Sequence, residues 1–277
     1  MTTLTPQQIE QFHADAIIVV RQVFSAGEQA EILAALNRIR ERATRELPSQ
    51  VRKLKDGSTW GLSHTFRPGY FEPAMAGVLE HPVIQHVLTT LLNSTELRMW
   101  GDHALWSSDT CDYNLRWHRD KTWGDQPFPT YDRHHPHHIQ FNAAFGPDHS
   151  FLAVPGSHLR EATPFEQEVL ERGGTDPLPG EVGVLLEPGD VLFMNAWAIH
   201  RGQTAAGSGR RTVHFSVQPA HLEPMPGQCR DAREGIFHPE LASRLGPCAR
   251  RMYDNFVRFQ ETLPEAASEQ DAMAAMR

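Results

Sequence analysis

Residues 113–120 read Tyr113-Asn114-Leu115-Arg116-Trp117-His118-Arg119-Asp120. This apolar and aromatic run predicts a strand over 114–120. Strand side chains alternate faces, so His118 and Asp120 should project to the same side. With one distant imidazole they make two His and one carboxylate. Such a set occupies one face of an octahedron around iron(II) and leaves the remaining positions open. The pattern H-x-D is short, and a second copy occurs at His13-Ala14-Asp15. That copy falls in an expected helix, where residues two apart diverge, so it reads as helix surface.

On either side, short strand-like runs recur at 96–106, 138–145, 151–154, 182–186, 190–193 and 210–218. Pro155-Gly156 and Pro188-Gly189 punctuate them as turns. Roughly seven or eight short strands at this spacing suggest a sandwich or barrel, and a jelly roll fits. Toward the N-terminus, Thr5, Pro6 and Gln8 carry the signature of a capped helix start. A β-branched run at 16–20 suits a buried strand. Ser25 and Glu28 form a second capping box, followed by Ile32, Leu33, Leu36 and Ile39 at helical spacing. Residues 48–72 read as a long loop or flap, 74–92 as one helix, and the tail after about 238 as helical. The expected fold is mainly β with flanking helices. One domain would span 1–277: a helical and loop part at about 1–94, a β core at about 95–220 and a helical part at about 238–277.

The third metal ligand should come from a later strand. Pro188-Gly189-Asp190 turns into the apolar run Val191-Leu192-Phe193-Met194, and His200 follows a short connection. Further on, Gly209-Arg210-Arg211-Thr212-Val213-His214-Phe215-Ser216-Val217-Gln218 begins a strand with two arginines. A planar guanidinium binds a carboxylate bidentately, as required for the remote carboxylate of 2-oxoglutarate. Arg210 shares its face with Thr212, His214, Ser216 and Gln218, whereas Arg211 shares one with Val213, Phe215 and Val217. The polar face favours Arg210 with Thr212, and Arg211 stays as the alternative.

The remaining composition bounds the function. A chain of 277 residues with 40% hydrophobic and 22% charged residues can bury a sizeable core. Its net charge of -8 argues against a nucleic-acid partner. Cys111, Cys229 and Cys248 are few and widely spaced, which points to free thiols. The opening residues lack a signal-peptide pattern and no apolar run could span a bilayer, so a soluble cytoplasmic protein is expected. Sixteen histidines direct attention to metal binding. Nothing in the sequence specifies an oligomeric state.

Taken in order, LTPQQIEQFHADAIIVVRQVFS (from Leu4), WHRD, FLAVPGSH (Phe151 to His158), PGDVLFMNAWAIHRG and RRTVHFS resemble the phytanoyl-CoA dioxygenase family of Fe(II)/2-oxoglutarate oxygenases. The resemblance covers most of 4–220. It implies a double-stranded β-helix, iron at His118, Asp120 and His200, and 2-oxoglutarate at the later arginine. The family places that arginine ten or eleven residues past the second His, which fits both Arg210 and Arg211. It also implies activation of O2 with release of succinate and CO2, and hydroxylation of a small-molecule substrate. Ala16 stands where the family usually has Gly. A related halogenase group lacks the metal carboxylate, so the presence of Asp120 argues against halogenation.

Other residues are weighed around this centre. Gln140 and Asn142 share a strand face and would reach 2-oxoglutarate, or else are ordinary polar strand residues. The run Tyr131-Asp132-Arg133-His134-His135-Pro136-His137-His138 reads as a flexible lid rather than a second metal site. His158 in the turn reads as structural. For substrate lining the sequence offers Trp60, His64, Arg67 and Tyr70, with Arg116, Lys121 and Trp123 near the metal segment. Arg116 is preferred, since alternation puts it on the face of His118. Such cations would suit an anionic substrate. The competing readings are a cupin-like hydrolase or isomerase that does not use 2-oxoglutarate, since zinc accepts the same ligands, and a non-catalytic binding protein. The arginine-bearing strand argues against the first and the intact ligand set against the second. The family label does not name the substrate, because function lives in the site. A small polar metabolite or natural-product intermediate is the expectation.

Overall fold

The computed structural model describes residues 4–120, 137–224, 229–230 and 238–267. Helix α1 (Pro6–Asp15) starts on the Thr5–Gln8 capping box and ends at Ala16, whose φ of 69° is the left-handed value that favours glycine. Strand β1 (Ile17–Val20) follows, then α2 (Ala26–Glu46) on the Ser25–Glu28 box. Residues 48–72, expected as a loop, instead contain a hairpin of β2 (Val51–Lys53) and β3 (Thr59–Ser63). The helix expected over 74–92 is broken into α3 (Pro73–Gly77), one 3-10 turn and α4 (Pro82–Leu91). Pro82 begins a new helix because a proline suits a first turn and not an interior.

The β core holds β4 (Leu97–Trp106), β5 (Tyr113–Asn114), β6 (Ile139–Ala144), β7 (Asp148–Ala153), β8 (Val182–Leu186), β9 (Val191–Asn195), β10 (His200–Thr204) and β11 (Arg211–Pro219). A helix α5 (Pro164–Glu171) lies between β7 and β8, and α6 (Pro239–Ala242) and α7 (Pro247–Thr262) follow β11. One antiparallel sheet has the order β1-β9-β6-β11-β4-β3-β2 and the other β5-β10-β7-β8. From β4 to β11 the chain passes back and forth between the two sheets, which is the winding of a double-stranded β-helix.

Alternation decides which side is apolar. Phe141, Phe193, Val213, Phe215 and Val217 pack outward with Ile32, Leu36 and Ile39 of α2 and with the buried residues of α4 and α7 in the main core. The opposite face of β6 and β11 carries Gln140, Asn142, Thr212, His214 and Ser216 and looks toward the smaller sheet. At one end the two sheets close on Ala144, Phe151, Ala153, Val184, Leu186, Leu192 and Met194. At the other a polar cavity remains open. Among the described residues, no helix is long and apolar enough to cross a membrane, and Cys111 and Cys248 are free thiols.

Candidate metal centre

Strand β10, like the β2–β3 hairpin, was not resolved by the sequence, and it carries His200. It pairs with β7 from His200↔Ala153 to Gly202↔Phe151. Across from it, the segment after β5 is not a regular strand, contrary to expectation. Leu115 N bonds Gly202 O at 2.8 Å, Trp117 N turns to Gly174 O at 3.1 Å, and His118 returns to an isolated bridge with His200. The cause is Trp117, whose indole is buried beside Leu152, Val154, Val169, Leu178 and Ile199 and donates to Asp176 O at 2.8 Å. The twist breaks alternation. Leu115 and His118 both line the cavity, while Arg116 is exposed with its Cδ beside Gly173. Arg116 therefore faces away from the site, a correction of the expected face.

His118, Asp120 and His200 converge nonetheless, with one ligand atom of each within 4.8 Å of the others. The Nε2 atoms of His118 and His200 lie 3.6 and 3.5 Å from the two oxygens of Asp120. Each imidazole places Nδ1 2.9 Å from a backbone carbonyl, Arg116 O for His118 and Ala198 O for His200. A proton on each Nδ1 leaves each Nε2 lone pair aimed at the centre, the orientation a metal requires. Burial, reinforced by His118, pushes His200 down to about 4, so it is a neutral ligand near pH 7. Burial opposes ionisation of Asp120, but His200 and His118 hold its carboxyl below the ordinary range. Gln140 Nε2 donates to Asp120 Oδ2 at 2.6 Å, and Phe151 stacks on His200 at 5.7 Å. The donor set, its tautomers and its charge fit a divalent metal.

A cavity of about 320 Å3 joins this triad to the buried guanidinium of Arg210. Arg210 Nε donates to Asp148 Oδ2 at 2.9 Å and to Thr212 Oγ1 at 3.3 Å, and Nη1 donates to the hydroxyl of Tyr113. Asp148 is itself held by Thr212 Oγ1 at 2.5 Å and by Ser150 N at 3.1 Å. Burial disfavours both charges, and their mutual attraction outweighs it, raising Arg210 and lowering Asp148. Arg211 points the other way and donates to Asn37 Oδ1 on α2 at 2.7 Å. On the far side of Arg210 lies a separate cavity of about 430 Å3 that shares Tyr113, Ser150 and Arg210 but contains none of the triad.

Trp60 and His64 line the triad cavity. Arg67 does not: it bonds Gln50 and lies 4.7 Å from the Tyr70 ring, and Tyr70 itself donates to Glu46 at 2.7 Å. Both are corrections. Tyr70 is buried and tied to the exposed Glu46, and Arg67 is held by Gln50 and the Tyr70 ring, so both side chains are committed to that outer corner. Lys121, Trp123 and the run 131–136 lie outside the described residues. His137 stacks on Trp197 at 4.9 Å, and buried His138 lines the cavity beside Asp120. His158 is buried and its Nε2 lies 3.1 Å from His13 O, which ties the turn after β7 to α1. Residues the sequence reading missed are Arg52, His103, Tyr113 and Asp148. Asp56-Gly57, a turn dipeptide between short runs, was the available signal for the β2–β3 hairpin that brings Arg52 in.

The family model for phytanoyl-CoA dioxygenase (PhyH) matches residues 12–213. The chain belongs to the phytanoyl-CoA dioxygenase family. The match includes all of His118, Asp120, His200, Arg210 and Asp148. The expected cofactor set of iron(II) and 2-oxoglutarate accords with that family and with a triad able to hold a metal. Among solved structures the fold is similar to AviO1 from Streptomyces viridochromogenes Tue57, at 18% identity and a TM-score of 0.62 over 82% of this chain and 100% of that one. It is also similar to SnoN, a non-heme alpha ketoglutarate dependent epimerase from nogalamycin biosynthesis, at 20% identity and 0.59 over 79% and 82%. HygX from Streptomyces hygroscopicus with nickel and 2-oxoglutarate bound matches at 20% and 0.58 over 80% and 89%. No curated protein matches the chain.

Proposed function

We propose that this phytanoyl-CoA dioxygenase family member is an iron(II)- and 2-oxoglutarate-dependent dioxygenase that hydroxylates a small metabolite or natural-product intermediate. The observation that carries the reading is one cavity with a two-His, one-carboxylate triad at one place on its wall and the buried Arg210 guanidinium at another. HygX, with nickel and 2-oxoglutarate bound, supports the co-substrate. With iron and 2-oxoglutarate bound, the site would supply O2 activation coupled to oxidation of the keto acid to succinate and CO2.

The residues have separate tasks in this reading. His118 and His200 present Nε2, and their Nδ1 bonds to backbone carbonyls hold the rings in that orientation. Asp120 supplies the anionic ligand, and Gln140 fixes its carboxylate plane. Arg210 and Thr212 take the far carboxylate of 2-oxoglutarate, with Asp148 and Tyr113 holding the guanidinium in place. Arg211 is assigned no part, because its side chain is engaged with α2. Asn142 faces the same cavity, where it pairs with His214, and contributes to the polar wall rather than to the metal. The likeness to SnoN, named an epimerase, means that hydroxylation rests on the family and not on the fold.

The test is anaerobic addition of Fe(II) and 2-oxoglutarate to the purified protein. A weak visible charge-transfer band from the chelate is expected, and succinate should form once oxygen is admitted. Folded protein with neither signal would overturn the reading.

A further inference from the structure

The cavity floor is a ladder of inward-facing side chains on β4, β11 and β6. One rung is His103, His214 and Asn142, continued to Ser63 on β3, where Arg52 Nε donates to Ser63 Oγ at 3.0 Å. The next rung is Gly101, Ser216 and Gln140. Same-face neighbours along a strand are about 7 Å apart, so Thr212, His214 and Ser216 step away from Arg210 in turn. Gln140 holds Asp120 at 2.6 Å, which sets that metal ligand over the second rung. In the proposed function 2-oxoglutarate lies between Arg210 and the metal, over the first rung. The end of the cavity beyond the metal is then left for the molecule that is oxidised.

Two features of that end point to a ligand. Gly101 has no positive φ, and a Cβ on it would meet His103 Nε2 at 3.5 Å and Ser216 Oγ at 3.8 Å, which are ordinary contacts. Neither the backbone nor the packing calls for a glycine there. What the missing side chain gives is open space over Ser216. The second feature is His138, which is 2% exposed, lines the cavity and has neither ring nitrogen bonded to a protein group. A buried polar group left unpaired costs roughly 1–3 kcal/mol, which a ligand hydroxyl would recover. Burial pushes His138 down to about 4, so near pH 7 its neutral ring offers one donor and one acceptor. Trp100 walls this end, its ring held edge-on by Phe256 and Phe259 of α7 at 6.0 and 5.8 Å.

The cationic side chains of the cavity are engaged elsewhere. Among the described residues they are Arg52, Arg201 and Arg210. Arg210 is paired with Asp148, and Arg201 bonds Asn114 and lies 5.0 Å from the Trp117 ring. Arg52 lies 4.8 Å from the Trp60 ring, which stacks on Tyr113 at the Arg210 end. A charged molecule over Gly101 would lose its hydration without meeting a counter-ion, whereas an uncharged one needs only hydrogen bonds. An indole wall together with such groups suits a ring that carries hydroxyls.

We propose that the space over Gly101, bounded by Ser216, His138 and Trp100, is the primary-substrate subsite, and that it takes an uncharged hydroxyl-bearing ring. Ser216 and His138 bond the hydroxyls, and Trp100 covers the flat face of the ring. The assignment rests on the dioxygenase reading for the place where oxidation occurs.

The test titrates myo-inositol, methyl glucoside and phenyl glucoside as uncharged probes, with glucuronate and glucosamine as charged counterparts. Binding is read by tryptophan fluorescence and by Tm, anaerobically with Fe(II) and 2-oxoglutarate and again without them. At millimolar concentration at least one uncharged probe should bind more tightly than both charged ones. Ser216→Ala should weaken that binding about five-fold, the loss of one neutral hydrogen bond, and Gly101→Val about ten-fold or more by filling the space. His138→Phe should also weaken it about five-fold, while its Tm without probe equals or exceeds the parent's because two unpaired buried nitrogens are gone. If the valine protein does not fold, the other two variants decide. Binding of a charged probe as tight as that of the uncharged ones, no binding of any uncharged probe, or Ser216→Ala and His138→Phe proteins that bind normally would each overturn the subsite. Probe binding without any chelate band would instead overturn the dioxygenase reading and leave the subsite standing.

Discussion

The backbones of His118 and His200 are joined by a reciprocal pair of hydrogen bonds, His118 N to His200 O at 3.0 Å and His200 N to His118 O at 2.9 Å. Two candidate ligands from distant parts of the sequence are thereby set in one frame by the backbone itself. Asp120 has its own tie, from its N to Ala196 O at 3.0 Å. Asp120→Ala leaves all of these main-chain bonds intact. Its Tm should stay close to the parent's, while iron-dependent succinate release falls by at least about a hundred-fold. Near-normal succinate release would place the metal carboxylate elsewhere.

Arg210 and Arg211 are neighbours with opposite surroundings, the one buried against Asp148 and the other bonded to Asn37. Arg210→Gln should raise the KM for 2-oxoglutarate by about ten-fold or more and lower stability by roughly 3 kcal/mol, since Asp148 is left as an uncompensated buried charge. Arg211→Gln should change that KM by less than about two-fold, as expected for a partly exposed contact. Steady-state kinetics on both variants decides the matter, and the reverse ranking would show that the wrong arginine was chosen.

Gly146 lies where β6 hands the chain to β7. A Cβ there would fall onto the carbonyl oxygen of Gly209 and within 3.1 Å of Arg211 N. Both neighbours are backbone and flank Arg210, so neither can swing aside. Gly146→Ala should cost roughly 1–3 kcal/mol by overpacking and weaken 2-oxoglutarate binding by displacing the guanidinium. Denaturant unfolding and titration of the chelate band measure the two effects. An alanine variant with parental stability would mean that this junction is softer than its contacts indicate.

The buried His158 gives a pH signature away from the metal. Burial pushes its pKa down to about 4 from an ordinary value of 6.5. As pH falls below 6.5, the unfolded chain takes up a proton that the folded chain refuses. Stability is therefore full above 6.5 and declines until about pH 4, by about 3 kcal/mol from this group alone. His158→Gln keeps a donor for His13 O but cannot titrate. The stability difference between the parent and the variant should shift by that amount across the window, as read by urea unfolding at several pH values. A pH-independent difference would refute the assignment.

Much of the centre could be read from linear sequence because its determinants are local. The caps at Thr5 and Ser25, the alternation along β6 and β11, and the turn before β9 are each set by residues a few positions apart. Alternation also separated Arg210 from Arg211 correctly in direction. The same rule misplaced Arg116, because it assumes an unbroken strand and Trp117 draws the backbone toward Gly174 instead. Arg67 and Tyr70 were misplaced for a related reason: their partners Gln50 and Glu46 are not visible as partners until the chain has folded.

By itself the sequence determined the alternating polar and apolar faces, the capped helices and the choice of His118, Asp120 and His200 as the candidate metal-binding set, because side-chain periodicity and turn chemistry are short-range properties. Tertiary structure alone decided that β10 exists as His118's partner, that Asp148 and Tyr113 hold Arg210, and that Ser63, His103, His214 and Asn142 form one row ending at Arg52. Those are cross-strand and cross-sheet relations. They depend on register between segments up to roughly 150 residues apart, from Ser63 on β3 to His214 on β11, and no local pattern encodes that register.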